Sequence, residues 1–308
     1  MRPAATKSRF GGPAIVFVLI SLIWGSTWLV IKGQLGVVPA AWSVTYRFAI
    51  GCALMGVLTI ATGRSLRLKL RGHAFAAIAG FFQFVCNFNL VYAAERHVTS
   101  GLIALTFALL VVPNALLSAL LLKNPVTPRF LIGSGIGIAG LALVFAPDLQ
   151  SPAAAGLTEG VLLGVAAVLC ASVANVMQAT GFARTLEPLP MLAWMMFYGA
   201  VMDFGFAAAT AGPPVFDVRP EYWAGLAYLA VVASAFAFTV YYRLIREIGP
   251  GPAAYTGVVI PVVALVLSTV FEGYRWSVLA AVGAALALVG LAVALGSRRT
   301  RAAVAVED

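Results

Sequence analysis

The chain has 308 residues, of which 62% are apolar and only 10% are charged, whereas a soluble domain carries about 25% charged residues. Because so few charges cannot cover the exterior of a water-soluble protein of this size, most of the surface must face lipid. The net charge of +9 does not indicate nucleic-acid binding, since the basic residues form short clusters between apolar stretches rather than one basic face.

Ten apolar segments follow one another along the chain, each close to the roughly 20 residues that a helix needs to cross a bilayer. The predicted spans are Pro13 to Lys32, Ala41 to Thr62, Ala74 to Ala94, Ser100 to Leu122, Arg129 to Pro147, Gly156 to Thr180, Pro190 to Thr210, Trp223 to Leu244, Ala253 to Glu272 and Trp276 to Gly296. The sequence therefore predicts an all-α integral membrane protein with ten transmembrane helices.

The positions of Lys and Arg predict the orientation, because these residues are retained on the cytoplasmic side of the membrane. If the N-terminus is inside, the basic clusters at 64–71 and 298–301 are also inside. The outside flanks then hold only Lys32, Arg96, Arg219 and Arg275. We therefore expect a multi-pass protein of a bacterial-type inner membrane with two cytoplasmic tails, residues 1–12 and 297–308.

The second half of the chain resembles the first at a separation of about 148 residues, which indicates a duplicated unit. Pro113 lies in the middle of the fourth segment and Pro261 in the ninth, and each is followed by a Gly-rich segment. We expect one five-helix repeat in residues 13–150 and a second in 151–296. Because five is odd, the second repeat must be inverted relative to the first, an arrangement typical of alternating-access carriers with a central cavity.

Several landmarks along the chain resemble those of one transporter family. The first segment contains LIWGSTWLVIK, Arg47-Phe48 lies near the start of the second, the fourth and ninth contain prolines, and Glu272 ends the ninth. From Trp24 to about Gly296 the chain resembles the EamA family of the drug/metabolite transporter superfamily. The resemblance implies an exporter of a small organic metabolite, such as an amino acid or a similar polar or amphipathic solute. The alternatives are a multidrug efflux carrier and a membrane receptor or scaffold that transports nothing.

The residues before Pro113 bear on the substrate. Superfamily members that export aromatic amino acids carry bulky aromatic residues at this place. Here the four residues from Leu109 to Val112 are aliphatic, so the resemblance makes an aromatic substrate less favoured.

Arg47 is the strongest single indication of a binding site. It lies about six residues into the second predicted span, and an unpaired Arg at the centre of a bilayer costs at least about 2.5–3.5 kcal/mol. Its guanidinium could hold a carboxylate or phosphate of the substrate. It could instead reach the outer headgroups or form an ion pair with Asp203 or Glu272, and the sequence leaves these interpretations open.

Other polar and aromatic residues inside the spans complete a candidate substrate site, because polar groups there usually face the bundle interior or a wet cavity. Helix-to-helix hydrogen bonds or ordinary packing could also explain them. The substrate-binding candidates are Trp24, Ser26, Trp28, Arg47, Gln83, Asn87, Asn114, Ser172, Asn175, Gln178, Tyr198 and Tyr255. Pro113 and Pro261 are interpreted either as hinges for alternating access or as fixed bends.

No motif predicts catalysis, a cofactor or a metal site. Gly135, Gly137 and Gly140 match the dinucleotide pattern GxGxxG, but that pattern requires a preceding strand, and these glycines lie in an apolar helix. Close helix packing explains them better. We expect no enzyme activity, and as partners only a small-molecule solute and the lipid bilayer, with no nucleic acid. The chain is expected to be a monomer or a homodimer.

Overall fold

The structure is a computed structural model that describes residues 12–146, 154–248 and 256–304. Its long helices are α1 (Pro13–Gln34), α2 (Ala40–Ala61), α3 (Leu70–Ala94), α4 (Ser100–Leu122), α5 (Pro128–Phe145), α6 (Ala154–Gln178), α7 (Pro188–Ala211), α8 (220–248), α9 (Thr256–Phe271) and α10 (Val278–Val304). A single helical turn, Gly181–Arg184, lies between α6 and α7. No strand occurs in the three described ranges.

Within these ranges, nine helices are long and apolar enough to cross a membrane. The helix α9 has only 16 residues, and it begins where the described part of the chain resumes. The prediction of an all-helical membrane protein is confirmed. The count of ten crossings stays a prediction.

The helix ends follow from the need of lipid-exposed backbone to satisfy its own hydrogen bonds. Four helices begin with a proline in the first turn. Proline loses no hydrogen bond there, because the N–H groups of the first turn have no intrahelical acceptor in any case. These prolines are Pro13, Pro128, Pro188 and Pro220. The helix α2 is followed by Gly63 with φ of 70°, a left-handed conformation that favours glycine and ends the helix.

Two helices contain π-helical segments that the sequence pattern did not predict. They are Phe81–Cys86 in α3 and Tyr228–Phe236 in α8. The two segments occupy matching places, since α3 and α8 are the third helix of the first and second half. Such segments are frequent at functional sites, because they turn side chains away from the regular helical positions.

The helix α4 is interrupted at Leu109 and Leu110, so Pro113 lies in the first turn of its second part, Val111–Leu122. Pro113 thus lies near the middle of the span, as expected, but directly after an interruption that the sequence did not predict. Because proline has no N–H to donate, the Leu109 carbonyl instead accepts a hydrogen bond from the N–H of Val112 at 2.8 Å. In contrast, Pro261 lies inside α9 without a break.

The helices α5 and α10 pack backbone against backbone. A Cβ added to Gly290 would lie 2.3 Å from the backbone nitrogen of Gly137, and one added to Gly140 would lie 2.4 Å from that of Ala287. A Cβ added to Gly135 would meet nothing within 4 Å. Small residues permit this close approach of helices in lipid. The packing interpretation is thus confirmed for Gly137 and Gly140.

The helix neighbours form a symmetric set. The pairs α2 with α7, α4 with α9 and α5 with α10 are in contact, α1 contacts α8 and α9, and α6 contacts α3 and α4. Exchanging the first five helices with the last five leaves this set of contacts unchanged. The arrangement leaves a space in the middle of the bundle, toward which both π-helical segments face.

Candidate functional site

A central cavity of about 520 Å³ lies between α1, α2, α3, α4, α6, α8, α9 and α10. Its volume is within the roughly 300–1,000 Å³ of small-molecule sites. Both π-helical segments contribute to its wall, through Gln83 in α3 and Ala233 in α8. A cleft of about 900 Å³ also exists, but it lies between the segments 65–72 and 182–190, at the connections from α2 to α3 and from α6 to α7. The central cavity is therefore the candidate substrate site.

Many of the predicted substrate-binding residues come together here. Those that line the cavity are Trp24, Trp28, Arg47, Gln83, Asn87, Asn114 and Asn175. Pro261 also lines it. Further aromatic residues of the wall were not among the candidates, namely Phe88, Phe107, Phe238 and Tyr241. The wall thus combines aromatic faces, side-chain amides and a single guanidinium.

Four predicted residues do not line the cavity, and three of them contact neighbouring helices. Ser26 Oγ forms a hydrogen bond with Tyr228 Oη at 2.7 Å, and Tyr198 Oη with His73 Nδ1 at 3.1 Å. Gln178 Nε2 lies 3.1 Å from Met195 Sδ, and Ser172 is fully buried. Their roles in substrate binding stay predictions. Tyr255 lies outside the described residues.

Arg47 is buried at 4% exposure and lines the cavity. Its guanidinium carbon lies 4.5 Å from the centre of the Phe88 ring and 5.3 Å from that of Phe48, a favourable arrangement for a cation over an aromatic face. Tyr92 is its polar neighbour. Its Nε and Nη1 atoms have no hydrogen-bond partner among the described residues.

The two carboxylates that the sequence offered as partners of Arg47 are bound elsewhere. Asn89 Nδ2 donates to Asp203 Oδ1 at 2.7 Å, and the backbone N–H of Ser100 donates to Glu272 Oε2 at 3.1 Å. In the described ranges Arg47 forms no ion pair. Arg47 is only 4% exposed, so other side chains cover its guanidinium almost completely. The ion pair that the sequence offered as an alternative to a ligand-binding role is therefore not found among the described residues.

Two amides in the cavity keep hydrogen-bonding capacity. Asn87 Nδ2 donates to the Gln83 carbonyl at 3.2 Å, but Asn87 Oδ1 has no partner among the described residues. The same holds for Asn114 Oδ1. Since buried polar atoms are usually satisfied, these two oxygens are unusual: both are buried and unsatisfied, so a small movement of the side chains would let a solute or water reach them.

A second polar group lies next to one end of the cavity; we call it the Lys32 cluster. It consists of Lys32, Glu95, Ser100, Ser268 and Glu272. Lys32 Nζ donates to the backbone carbonyls of Glu95 and, at 3.2 Å, Val98. The cluster joins the ends of α1, α3 and α9 to the start of α4.

Ser100 is at the centre of the Lys32 cluster. Its Oγ lies 3.3 Å from Glu95 Oε2, 3.2 Å from Glu272 Oε1 and 3.1 Å from the carbonyl oxygen of Trp28. Ser268 Oγ donates to Glu272 Oε2. Because Trp28 lines the cavity, the cluster lies directly behind the cavity wall at this end.

The family of the chain follows from a comparison with family models. The model of the EamA-like transporter family matches residues 12–146 and again residues 158–296. The chain belongs to the EamA-like transporter family. This confirms the resemblance found in the sequence, and together with the long apolar helices it makes the protein a membrane transporter.

Several proteins are similar to this EamA-like transporter in sequence, and two of the three described here are named as transporters. The uncharacterized inner membrane transporter YedA of Escherichia coli K12 is 28% identical over 307 residues, covering 93% of each chain. The uncharacterized transporter YyaM of Bacillus subtilis is 24% identical over 92% of this chain and 93% of its own. Protein PagO of Salmonella typhimurium is 23% identical over 86% of each.

A solved crystal structure of another protein has the same fold. It matches this EamA-like transporter with a TM-score of 0.66 at 22% sequence identity, covering 92% of this chain and 96% of the other. At this identity the likeness shows the fold alone.

The sequence reasoning missed Glu95. It is fully buried, but in the sequence it lies beside Arg96 and His97 at the end of a span, where it reads as an exposed flank. No pattern in the neighbouring sequence indicates its burial. The sequence indicated only that Asp203 and Glu272 could place carboxylates inside the bundle.

Proposed function

We propose that this EamA-like transporter exports a small organic solute, an amino acid or a similar polar or amphipathic metabolite, by alternating access. The observation that carries the proposal is the central cavity, where among the described residues Arg47 has no ion pair and the side-chain oxygens of Asn87 and Asn114 have no hydrogen-bond partner. Unsatisfied polar groups inside a membrane protein cost free energy unless a ligand or water completes them. A purely structural membrane protein has no need for such a cavity.

The proposed architecture is ten crossings in two inverted repeats, residues 13–150 and 151–296. Two matches of the family model, the exchange symmetry of the helix contacts and the paired π-helical segments all support two similar halves. Both termini lie in the cytoplasm, as the Lys and Arg clusters indicate. The name of the Escherichia coli relative supports the inner membrane. The transporter works as a monomer or a homodimer.

In this orientation the Lys32 cluster lies at the outer end of the cavity. Its side chains hold α1, α3, α4 and α9 together there. Export requires these helix ends to separate and the inner ends to close. Pro113, beside the interruption of α4, and Pro261, in the cavity wall, are the proposed hinges, since each leaves a backbone carbonyl without its usual intrahelical donor.

Multidrug efflux is the second candidate, favoured by the aromatic wall. Trp28 and Phe107 pack with ring centres 4.9 Å apart, and Phe88 and Phe238 also line the cavity. Aromatic faces bind apolar bodies of many shapes. The two candidates differ in Arg47, because a carrier of apolar drugs does not need a guanidinium and a carrier of polar metabolites does.

An export comparison tests the proposal. Solutes in the medium are quantified without a preset target for cells that lack the protein, cells that make it and cells that make Arg47→Met, at equal amounts in the membrane. We expect a small set of solutes to be enriched by the native protein, and the enrichment to fall at least about tenfold in the variant, as the loss of a charge-assisted hydrogen bond implies.

The control variant is Gly135→Ala, because a Cβ at this position meets nothing within 4 Å; it should export like the native protein. Identical media from all cells would contradict export. Enrichment of structurally unrelated drugs, unaffected by Arg47→Met, would instead favour multidrug efflux. A non-transporting receptor or scaffold is excluded once any enriched solute crosses vesicles that contain only the purified protein.

A further inference from the structure

The central cavity carries a fixed positive charge. Among the described residues that line it, Arg47 is the cation and no Asp or Glu is present. Tyr92 is a polar neighbour of Arg47, and no carboxylate of the described residues forms an ion pair with it. A solute in the cavity therefore meets one positive charge that the protein has not neutralised.

The buried carboxylates near the cavity are committed to other groups. Asp203 accepts a hydrogen bond from Asn89, on the side of α3 that faces α7. Glu95 and Glu272 belong to the Lys32 cluster, where Ser100 bridges them. Consequently no acidic side chain of the described residues is placed to receive an ammonium group of a solute.

We propose that the cavity selects organic monocarboxylates that carry no cationic amine. The inference rests on the proposed function and narrows its substrate class. A single carboxylate of the solute and the Arg47 guanidinium neutralise each other, and their planar geometry permits two parallel hydrogen bonds. A zwitterion would bring an ammonium group into the bundle with no counter-charge, which is costly.

The amides and the aromatic wall define the rest of the solute. Asn87 Oδ1 and Asn114 Oδ1 lack donors among the described residues, so they match a solute that presents a hydroxyl or an amide N–H. Trp28 and Phe107 offer apolar faces. The class is thus a hydroxy acid or an N-acylated amino acid with an apolar side chain, in which the amine is absent or blocked.

Leucine and three of its derivatives separate the effect of the solute's charge on binding from the effect of its shape. N-acetyl-leucine is an anion, N-acetyl-leucinamide is neutral, leucine is a zwitterion and leucinamide is a cation. Binding is measured as the ligand-dependent rise in Tm of the purified protein in nanodiscs, and transport as flux of each compound into vesicles. We expect N-acetyl-leucine to bind at least about tenfold more tightly than the other three.

Variants of Arg47 test whether the guanidinium is responsible. Arg47→Met should remove the difference in affinity between N-acetyl-leucine and N-acetyl-leucinamide. Arg47→Lys should keep the preference for the anion but bind it with lower affinity, because an ammonium cannot form the bidentate contact with a carboxylate. Arg129→Met removes a cation at an exposed position of α5 and should leave all four affinities unchanged.

The native protein alone can overturn the inference, whether or not the variants fold. Equal or tighter binding of leucine or leucinamide, or no binding of N-acetyl-leucine at millimolar concentration, means that the cavity does not select monocarboxylates. The same follows if the exported solutes carry amines. In each of these cases transport of some solute can still be observed, and the proposed function stands. Failure of every solute to cross the vesicles contradicts the proposed function itself.

Discussion

Arg47 and Lys32 are both cations within spanning helices, and their surroundings differ. Lys32 donates to two backbone carbonyls and lies among Glu95, Ser100 and Glu272, which hydrogen bonds connect. Arg47 lies over an aromatic ring, and two of its nitrogens have no hydrogen-bond partner in the described part of the chain. Lys32 is therefore part of a local hydrogen-bond network, whereas the guanidinium of Arg47 has unsatisfied donors among the described residues.

The difference separates two uses of charge in a membrane protein. A charge that the protein itself satisfies holds helices together, and its removal leaves its partners buried and uncompensated. A charge that lacks partners costs stability in the empty protein, and the fold retains it for a ligand that completes it. We therefore expect Lys32 to contribute to folding and Arg47 to contribute to binding.

The largest expected effect is that of Lys32→Met on stability. Methionine removes the cation that acts on Glu95 and the donor to the carbonyls at the end of α3. Since a hydrogen bond from a charged group contributes about 1.5–3 kcal/mol and Lys32 donates two to buried carbonyls, the free energy of unfolding should fall by about 3 kcal/mol or more. Thermal unfolding of the purified protein in detergent measures the change.

Arg47→Met is the matched variant, with the same replacement at the other cation. Among the described residues no ion pair and no hydrogen bond of Arg47 Nε or Nη1 is lost. Because the cost of keeping the buried guanidinium away from water outweighs its contacts with Phe88 and Tyr92, the Tm should stay the same or rise. An equal fall of Tm in both variants would show that Arg47 is part of the structural network, and the distinction between the two cations would be wrong.

The helix ends and the candidate cation were predictable because they depend on local properties. Apolar length and first-turn prolines set the ends: the second span was predicted from Ala41 to Thr62 and extends over Ala40–Ala61. The depth of Arg47 in that span is also read directly from the sequence. Its burial in the bundle agrees with that depth.

The Lys32 cluster was not predictable, because its members come from distant parts of the chain. Ser100 and Glu272 are 172 residues apart, and nothing near Glu95 in the sequence shows which helices surround it. Local periodicity therefore gives the spans but not the contacts that shape the cavity.

The contact between Gly290 of α10 and Gly137 of α5 involves no charge, so it shows how much packing alone contributes to the free energy of unfolding. Gly290→Ala would place a Cβ 2.3 Å from the backbone nitrogen of Gly137, so α5 and α10 must move apart. Overpacking of this kind costs about 1–3 kcal/mol, less than the loss expected for Lys32→Met. Unfolding in the same detergent gives the comparison.

The control for this contact is Gly135→Ala in the same helix pair. A Cβ at Gly135 meets nothing within 4 Å, and alanine favours a helix over glycine by about 1 kcal/mol, so the Tm should be unchanged or higher. If Gly290→Ala lowers the Tm more than Lys32→Met does, packing rather than the charged cluster dominates the stability of the bundle.

The smallest effect is expected for an ion pair that water reaches. Arg219 Nη2 lies 2.6 Å from Asp217 Oδ2 in the segment before α8, outside the spans; the Arg219 side chain is 50% exposed and that of Asp217 is 2% exposed, so water reaches the pair from the Arg219 side. Hydrogen bonds from Arg219 lower the pKa of Asp217. Because the folded pKa is below the unfolded value of about 3.9, the pair stabilises the protein above that pH and loses its effect as pH falls through the folded pKa.

Asp217→Asn should therefore lower the Tm slightly at pH 7, and the difference from the native protein should disappear as the pH is lowered below 4. Salt should also reduce this difference in Tm between the variant and the native protein, since ions screen exposed charges. Glu221→Gln, at an exposed position in the first turn of α8, controls for the general effect of removing one negative charge. A loss at pH 7 as large as that of Lys32→Met would mean that exposure to water does not separate weak ion pairs from strong ones in this protein.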